Sequence, residues 1–213
     1  RRTRALTDHP FGVNFVLDFP VEDLLEEALA SGVAAVSFFW GDGGRYYDRV
    51  KTGGAIAIQI VGSLSEARNA ADQGADIVVV QGREAGGHVR GELLPAVVDA
   101  VSPIPVLAAG GIADRRGVEA ALALGAAGVW VGTRFLVAQE ADIHPHYRKR
   151  LLDASGDDTV LSTLFDIGWP NAPMRTLRST LIEEWQRAGE PKHPFRSGEG
   201  ETIASIPFRF TSF

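Results

Sequence analysis

The sequence predicts an α/β fold built on a parallel sheet, and two observations carry that expectation. Six short runs rich in β-branched or aromatic residues (12–17, 35–40, 55–61, 76–81, 105–109 and 128–132) each end in Gly or a small polar residue. Their markers Val13, Val36, Ile56, Ile77, Val106 and Val129 are separated by 23, 20, 21, 29 and 23 residues, the length of one strand, one helix and two short loops. The runs are apolar on both faces, which a strand tolerates only when helices or further strands cover it on both sides.

The pieces between the runs read as helices. In 20–31, Pro20 suits the first turn, Leu24, Leu25, Ala28 and Leu29 form a stripe, and Gly32 ends it. Ser63-Leu64-Ser65-Glu66 is a capping box closed by Gly74. Asp114 is placed to cap a helix that runs to Leu124, with Gly125 after it. Beyond about Asp142 the period changes: 145–154 and 174–188 read as two helices, 169–173 as a rigid break between them, and the tail after Pro191 has no period. This divides the chain into a βα-repeat region, 1–141, and a C-terminal helical extension, 142–213, expected to pack on it. A (β/α)8 barrel and an open doubly wound sheet both fit the repeat. Six units do not close an eight-stranded barrel, so a barrel would require the chain to come from a longer protein.

Composition narrows the function. The 213 residues are 45% hydrophobic and 23% charged, ordinary for a globular domain. A formal net charge of −6 disfavours nucleic acid and anionic membrane surfaces as partners. With no Cys there is no thiolate metal site, disulfide or Cys nucleophile. No apolar stretch reaches the roughly 20 residues of a membrane span, and a soluble cytoplasmic protein is expected.

In parallel α/β folds the loops after the strands carry the site. Ala108-Ala109-Gly110-Gly111-Ile112 follows one strand and Gly132-Thr133-Arg134 the next. The glycines would let backbone N–H groups approach an anion, and Thr133 would add a hydroxyl; tight turns alone are the plainer alternative. Gln81-Gly82-Arg83-Glu84-Ala85-Gly86-Gly87-His88 follows the fourth run. A histidine there, with a pKa near neutral, could serve as a general base, or could simply bond to backbone. Asn14 and Gln59 are polar residues inside apolar runs, and each must find partners in neighbouring loops or in a heterocycle. His144 and His146 have no carboxylate or Cys cluster nearby, which favours a solvated loop over a metal site. A phosphorylated heterocycle such as FMN fits this set; a phosphosugar isomerase or a thiamin-type phosphate synthase fits the spacing nearly as well.

These residues carry a family resemblance. From Phe11-Gly12-Val13-Asn14-Phe15 through 81–91, 105–112 and 128–136, and on into 169–175, the sequence resembles the nitronate monooxygenases, which are FMN-dependent TIM barrels. Glu84-Ala85-Gly86-Gly87-His88 is the most specific element. The resemblance implies His88 as catalytic base, Asn14, Gln81 and Gln59 near the flavin ring or ribityl chain, and Ala85, Gly86 and Gly87 packed along it. It implies Gly110, Gly111, Gly132 and Thr133 as the phosphate grip. It also implies oxidation of alkyl nitronates or nitroalkanes by O2 to a carbonyl compound and nitrite. A small nitro compound and O2 would be the partners, and a homodimer is compatible with them. FMN-dependent enoyl-acyl-carrier-protein reductases share the fold and a similar loop, and a non-redox barrel holding a phosphate ligand is the third reading. The family's opening strand, its glycine-containing loop and a second βα unit have no counterpart here, and the segment between Gly91 and Glu92 is several residues short.

Overall fold

The computed structural model describes residues 3–88, 94–166 and 172–191, with backbone alone at Gly87 and His88. The segment around Gly91 and Glu92, the residues 169–171 and the tail beyond Pro191 lie outside the described residues. Contacts divide the described chain into two compact units, 3–83 with 94–131, and 84–88 with 132–191.

The first unit alternates strands and helices from its first strand to its last. In chain order these are β1 (Gly12–Val16), α1 (Glu22–Ala30), β2 (Ala35–Phe39), α2 (Gly44–Thr52), β3 (Ile56–Val61), α3 (Leu64–Asp72) and β4 (Ile77–Gln81). The strand β5 (Gly87–His88) belongs to the second unit, and α4 (Leu94–Val101), β6 (Val106–Ala109), α5 (Arg115–Ala123) and β7 (Gly128–Trp130) complete the first. All six expected runs form strands. Ser63 accepts from the Glu66 N–H and caps α3 as predicted, but the reciprocal half of the box is shifted: Glu66 accepts from the Gly62 N–H, one residue before the cap, rather than from Ser63. Asp114 accepts from the Gly117 N–H and caps α5.

The six strands pair in parallel in the order β1-β2-β3-β4-β6-β7. An order that follows the chain decides between the two architectures: a doubly wound sheet reverses at a switch point, whereas a barrel wall does not. Among the described residues of this unit, helices pack on one face. There Leu25 of α1, Tyr47 and Val50 of α2, Ala67 of α3 and Val97 of α4 bury against Val36, Phe38, Ala57, Val61 and Val78. The opposite face carries a second apolar cluster, Phe39, Ile58, Ile60 and Val79, with Trp40, Ile77, Leu107 and Ala109 against it. This face is strongly concave. Trp130 on the last strand lines the same cavity, of about 220 Å³, as Gly12 and Asn14 on the first, although β1 and β7 are not paired. No helix among the described residues is long and apolar enough to cross a membrane.

The second unit holds α6 (Thr133–Leu136), α7 (Pro145–Asp153), β8 (Thr159–Ser162), β9 (Met174–Leu177) and α8 (Thr180–Arg187). Its sheet is antiparallel in the order β5-β9-β8. The single helix expected over 174–188 is corrected here: Met174–Leu177 is a strand, and the helix starts only at Thr180. Backbone pairing with β5 and β8 on both sides claims Met174–Leu177, and Ser179, accepting from the Ile182 N–H, caps the helix that follows. α8 then buries Ile182 and Trp185, whose indole N–H donates to Pro191 O at 3.0 Å.

Candidate active site at the strand carboxyl ends

Two neighbouring strand ends make the most ligand-ready feature of the first unit. Gln81 closes β4 in register with Ala109, which closes β6, and the Gly82 N–H donates to Ala109 O at 2.7 Å. Alternation along β4 puts Gln81 on the helix-free face with Ile77 and Val79. Its Oε1 is buried and accepts no hydrogen bond among the described residues. An amide oxygen left so is costly, about 1–3 kcal/mol, unless something else donates to it. Directly after Ala109, Gly110 and Gly111 adopt φ of +113° and +66°. Side-chain-bearing residues rarely take two such conformations in succession, so glycine is what permits the sharp exit of this backbone towards α5. Asp114 ends the turn as the cap of α5. The Gly117 N–H it accepts, and then Arg116, hold its carboxyl below the ordinary aspartate range.

Asn14 lies midway along β1 on the same helix-free face. Ser37 Oγ on β2 donates to Asn14 Oδ1 at 2.8 Å, the two residues being register partners. That bond fixes the amide's orientation and leaves its NH2 group at the cavity shared with Ile58 and Trp130. Ser37 was not anticipated as a site residue. Its signal was available: it is the one hydroxyl in the run 35–40, and it is 98% buried.

In the second unit the loop from Glu84 returns as β5, whose Gly87 and His88 pair with Arg175 and Met174 of β9. The His88 side chain lies outside the described residues. Ala85 is buried, at 6% exposure. Gly86 sits so close to Thr133 that a Cβ there would come within 2.6 Å of Thr133 Oγ1. The structure thus brings together Gly86 of the Gly-Gly-His loop and Thr133 of the second predicted phosphate loop. Gly132 precedes α6 as its N-cap residue.

The nitronate monooxygenase family model matches residues 20–197, more than half of the chain. The chain belongs to the nitronate monooxygenase family. A probable nitronate monooxygenase of Bacillus subtilis is 38% identical over 165 residues, 71% of this chain and 41% of that protein. The (3aS,4S,5R,7aS)-5-hydroxy-7a-methyl-1-oxo-octahydro-1H-indene-4-carboxyl-CoA dehydrogenase of Mycobacterium tuberculosis is 41% identical over 190 residues, 86% of this chain and 52% of that protein. Among solved structures, FabK from Thermotoga maritima superposes with a TM-score of 0.80 at 40% identity, covering 87% of this chain and 60% of that one. The chain spans about half the length of the curated relatives it matches.

Within the family frame one expected residue changes role. Gln59, read from the sequence as a flavin neighbour, lies on the helix-covered face and is 4% exposed. Its Oε1 accepts from the Gly43 N–H at 3.1 Å and the Tyr47 hydroxyl at 2.8 Å. Its Nε2 donates to Phe38 O, Gly41 O and Ile60 O at 3.1–3.2 Å. Both ends of the amide are consumed in pinning the β2–α2 turn, so Gln59 is a structural clamp. The Tyr47 hydroxyl that serves it is itself buried, which raises its pKa.

Proposed function

We propose that this chain is the flavin-binding part of an FMN-dependent enzyme that oxidises alkyl nitronates with O2, giving a carbonyl compound and nitrite. The observation that carries the reading is the unpartnered Gln81 oxygen beside the left-handed Gly110–Gly111 turn. An acceptor waiting for a donor and a backbone cradle without side chains fit a cofactor that offers ring N–H groups and a phosphate. Gly110 and Gly111, with Gly132 and Thr133, would hold the phosphate, and Gln81 and Asn14 would meet the ring or ribityl chain. Ala85, Gly86 and Gly87 would pack along it. Bound FMN supplies the electron transfer from the nitro compound to O2.

The chain's own contribution is position and proton control. With a neutral nitroalkane, His88 would take the acidic proton on the carbon bearing the nitro group. With a nitronate anion, protonated His88 would hold its oxygens. Pairing of β5 with β9 anchors the backbone of this base, and the buried Ala85 anchors the loop before it.

Oxygen uptake by the FMN-supplemented protein tests the reading, with nitroethane and ethyl nitronate as substrates. The His88→Asn variant should keep its flavin, lose nitroethane turnover by about 100-fold or more, the usual worth of a positioned base, and retain more of the nitronate reaction. Unchanged nitroethane kinetics would remove His88 from the mechanism. A second reading, redox chemistry on an acyl thioester, is favoured by the 41% identity to a relative named as a carboxyl-CoA dehydrogenase. Turnover of an acyl-CoA or enoyl thioester by a protein inert to nitronates would establish it instead.

A further inference from the structure

The antiparallel sheet of the second unit treats hydroxyls differently on its two faces. Pleating puts Thr159, Leu161, Arg175 and Leu177 on one face and Val160, Ser162, Met174 and Thr176 on the other. On the first face Thr159 is answered twice: Arg175 Nη1 donates to its Oγ1 at 3.0 Å, and that hydroxyl donates to Gly156 O at 2.8 Å. On the second face Ser162 Oγ and Thr176 Oγ1 are both buried, and neither makes a hydrogen bond among the described residues. Ser162 as a whole is only 7% exposed. A buried hydroxyl without a partner forfeits the hydrogen bonds that water gave it. Two of them on one face of a three-stranded sheet point to a common cause.

The register shows where that cause lies. Ser162 pairs with Met174, and Met174 pairs with His88 on its other side, so positions 162, 174 and 88 form one row across the sheet. Thr176 is the diagonal neighbour of Ser162, about 7–8 Å away by Cα and less between side chains. The two hydroxyls do not bond each other. Their spacing suits a planar two-oxygen group that accepts a hydrogen bond at each oxygen, a span of roughly 7 Å with ordinary O–H···O lengths. Position 88 stands two strand spacings from Ser162, about 10 Å. A small substrate over Met174, with its oxygens at the hydroxyl pair, therefore extends its next carbon towards position 88.

We propose that Ser162 and Thr176 donate hydrogen bonds to the two nitro oxygens of the substrate and so hold the carbon bearing the nitro group at the base. The inference rests on the reaction assigned above and deepens it, adding the groups that receive the charge. When the C–H bond of a nitroalkane breaks, its proton passes to the His88 imidazole and its electron pair moves onto the nitro oxygens. Negative charge grows where the hydroxyls donate, so they stabilise the transition state more than the neutral ground state. With a preformed nitronate the charge is present from the start, and the same bonds serve binding.

The test follows oxygen uptake by the FMN-supplemented parent, Ser162→Ala, Thr176→Val, the double variant and Thr176→Ser, with nitroethane and ethyl nitronate as substrates. Each lost hydroxyl should lower kcat for nitroethane by about tenfold or more, and should act on ethyl nitronate chiefly through KM. Thr176→Ser keeps the hydroxyl and should stay within about threefold of the parent. Since neither hydroxyl is bonded among the described residues, the thermal midpoints of Ser162→Ala and Thr176→Val should match or exceed the parent's. Unchanged nitroethane kinetics in the double variant overturn the proposal. Equal losses in Thr176→Ser and Thr176→Val, or a lowered midpoint in both single variants, overturn it too. A parent that oxidises neither compound removes the reaction assigned above, and calorimetric binding of propionate, a planar two-oxygen anion, then decides the hydroxyl pair. Affinity weaker by about fivefold or more in the double variant upholds it; equal affinity, or no binding by the parent, overturns it.

Discussion

Gln59 and Gln81 stand on adjacent strands of one sheet, and comparing them separates its two faces. Gln59 points to the helices, where all its hydrogen-bonding capacity is spent on the β2–α2 turn. Gln81 points to the bare face, where its Oε1 is buried and idle. The same side chain serves the turn on one side and, under the function proposed above, would meet a ligand on the other. On the helix-covered face Gln59 and Tyr47 answer one another and the turn, whereas on the opposite face the Gln81 oxygen, at the end where parallel sheets bind ligands, accepts nothing among the described residues.

The widest separation should appear when each glutamine becomes leucine. Gln59→Leu strips donors from two carbonyls of the turn and leaves the Gly43 N–H unanswered, so urea unfolding should show a loss of about 2–4 kcal/mol. Gln81→Leu removes an acceptor that bonds to nothing among the described residues, so stability should change by less than about 1 kcal/mol while FMN affinity falls. Equal stability losses in the two variants would break the comparison. Gly111→Ala is next: a Cβ at φ +66° costs about 1–2 kcal/mol, and if the turn exists to hold phosphate, FMN should bind roughly tenfold more weakly. Fluorescence titration with FMN measures it.

Smaller effects sharpen the picture within the second unit and at the turn. Gly86→Ala should weaken FMN binding through collision with Thr133 Oγ1, and adding Thr133→Ser, which removes the γ-methyl and so lets the hydroxyl rotate away, should recover part of the loss. A double-mutant cycle with no coupling would separate the two loops. The smallest effect concerns Asp42. Burial pushes its carboxyl pKa up, but hydrogen bonds from Gln73, the Gly44 N–H and Asn69 outweigh that and leave it below the ordinary value. A lowered folded-state pKa means stability that is present above the usual aspartate range and lost as pH falls through the folded value. Asp42→Asn should therefore lower the thermal midpoint at neutral pH, and the difference from the parent should shrink as the pH falls through the folded-state value.

The parallel sheet was legible because its signals are local. Apolar runs at a fixed spacing, Ser63 with Glu66, and Asp114 before a helix all act within a few residues. What the sequence did not reveal depends on partners far away in the chain. Met174–Leu177 reads as the first turn of a helix until β5 and β8, 86 and 12 residues upstream at closest, claim its backbone. Asn14 and Gln59 look alike as polar residues in apolar runs, and only strand register shows that one faces the cavity and the other the helices. Ser37 left no trace beyond residue type, since a buried hydroxyl's partner is not written in a single sequence.

If the carboxyl end of this sheet holds a flavin that takes electrons from a nitronate, an anaerobic absorbance titration of the FMN-supplemented protein with ethyl nitronate should show it. A protein-bound flavin whose oxidised absorbance is lost as nitronate is added is the expected result; a flavin that stays oxidised, or a protein that retains none, would overturn the assignment.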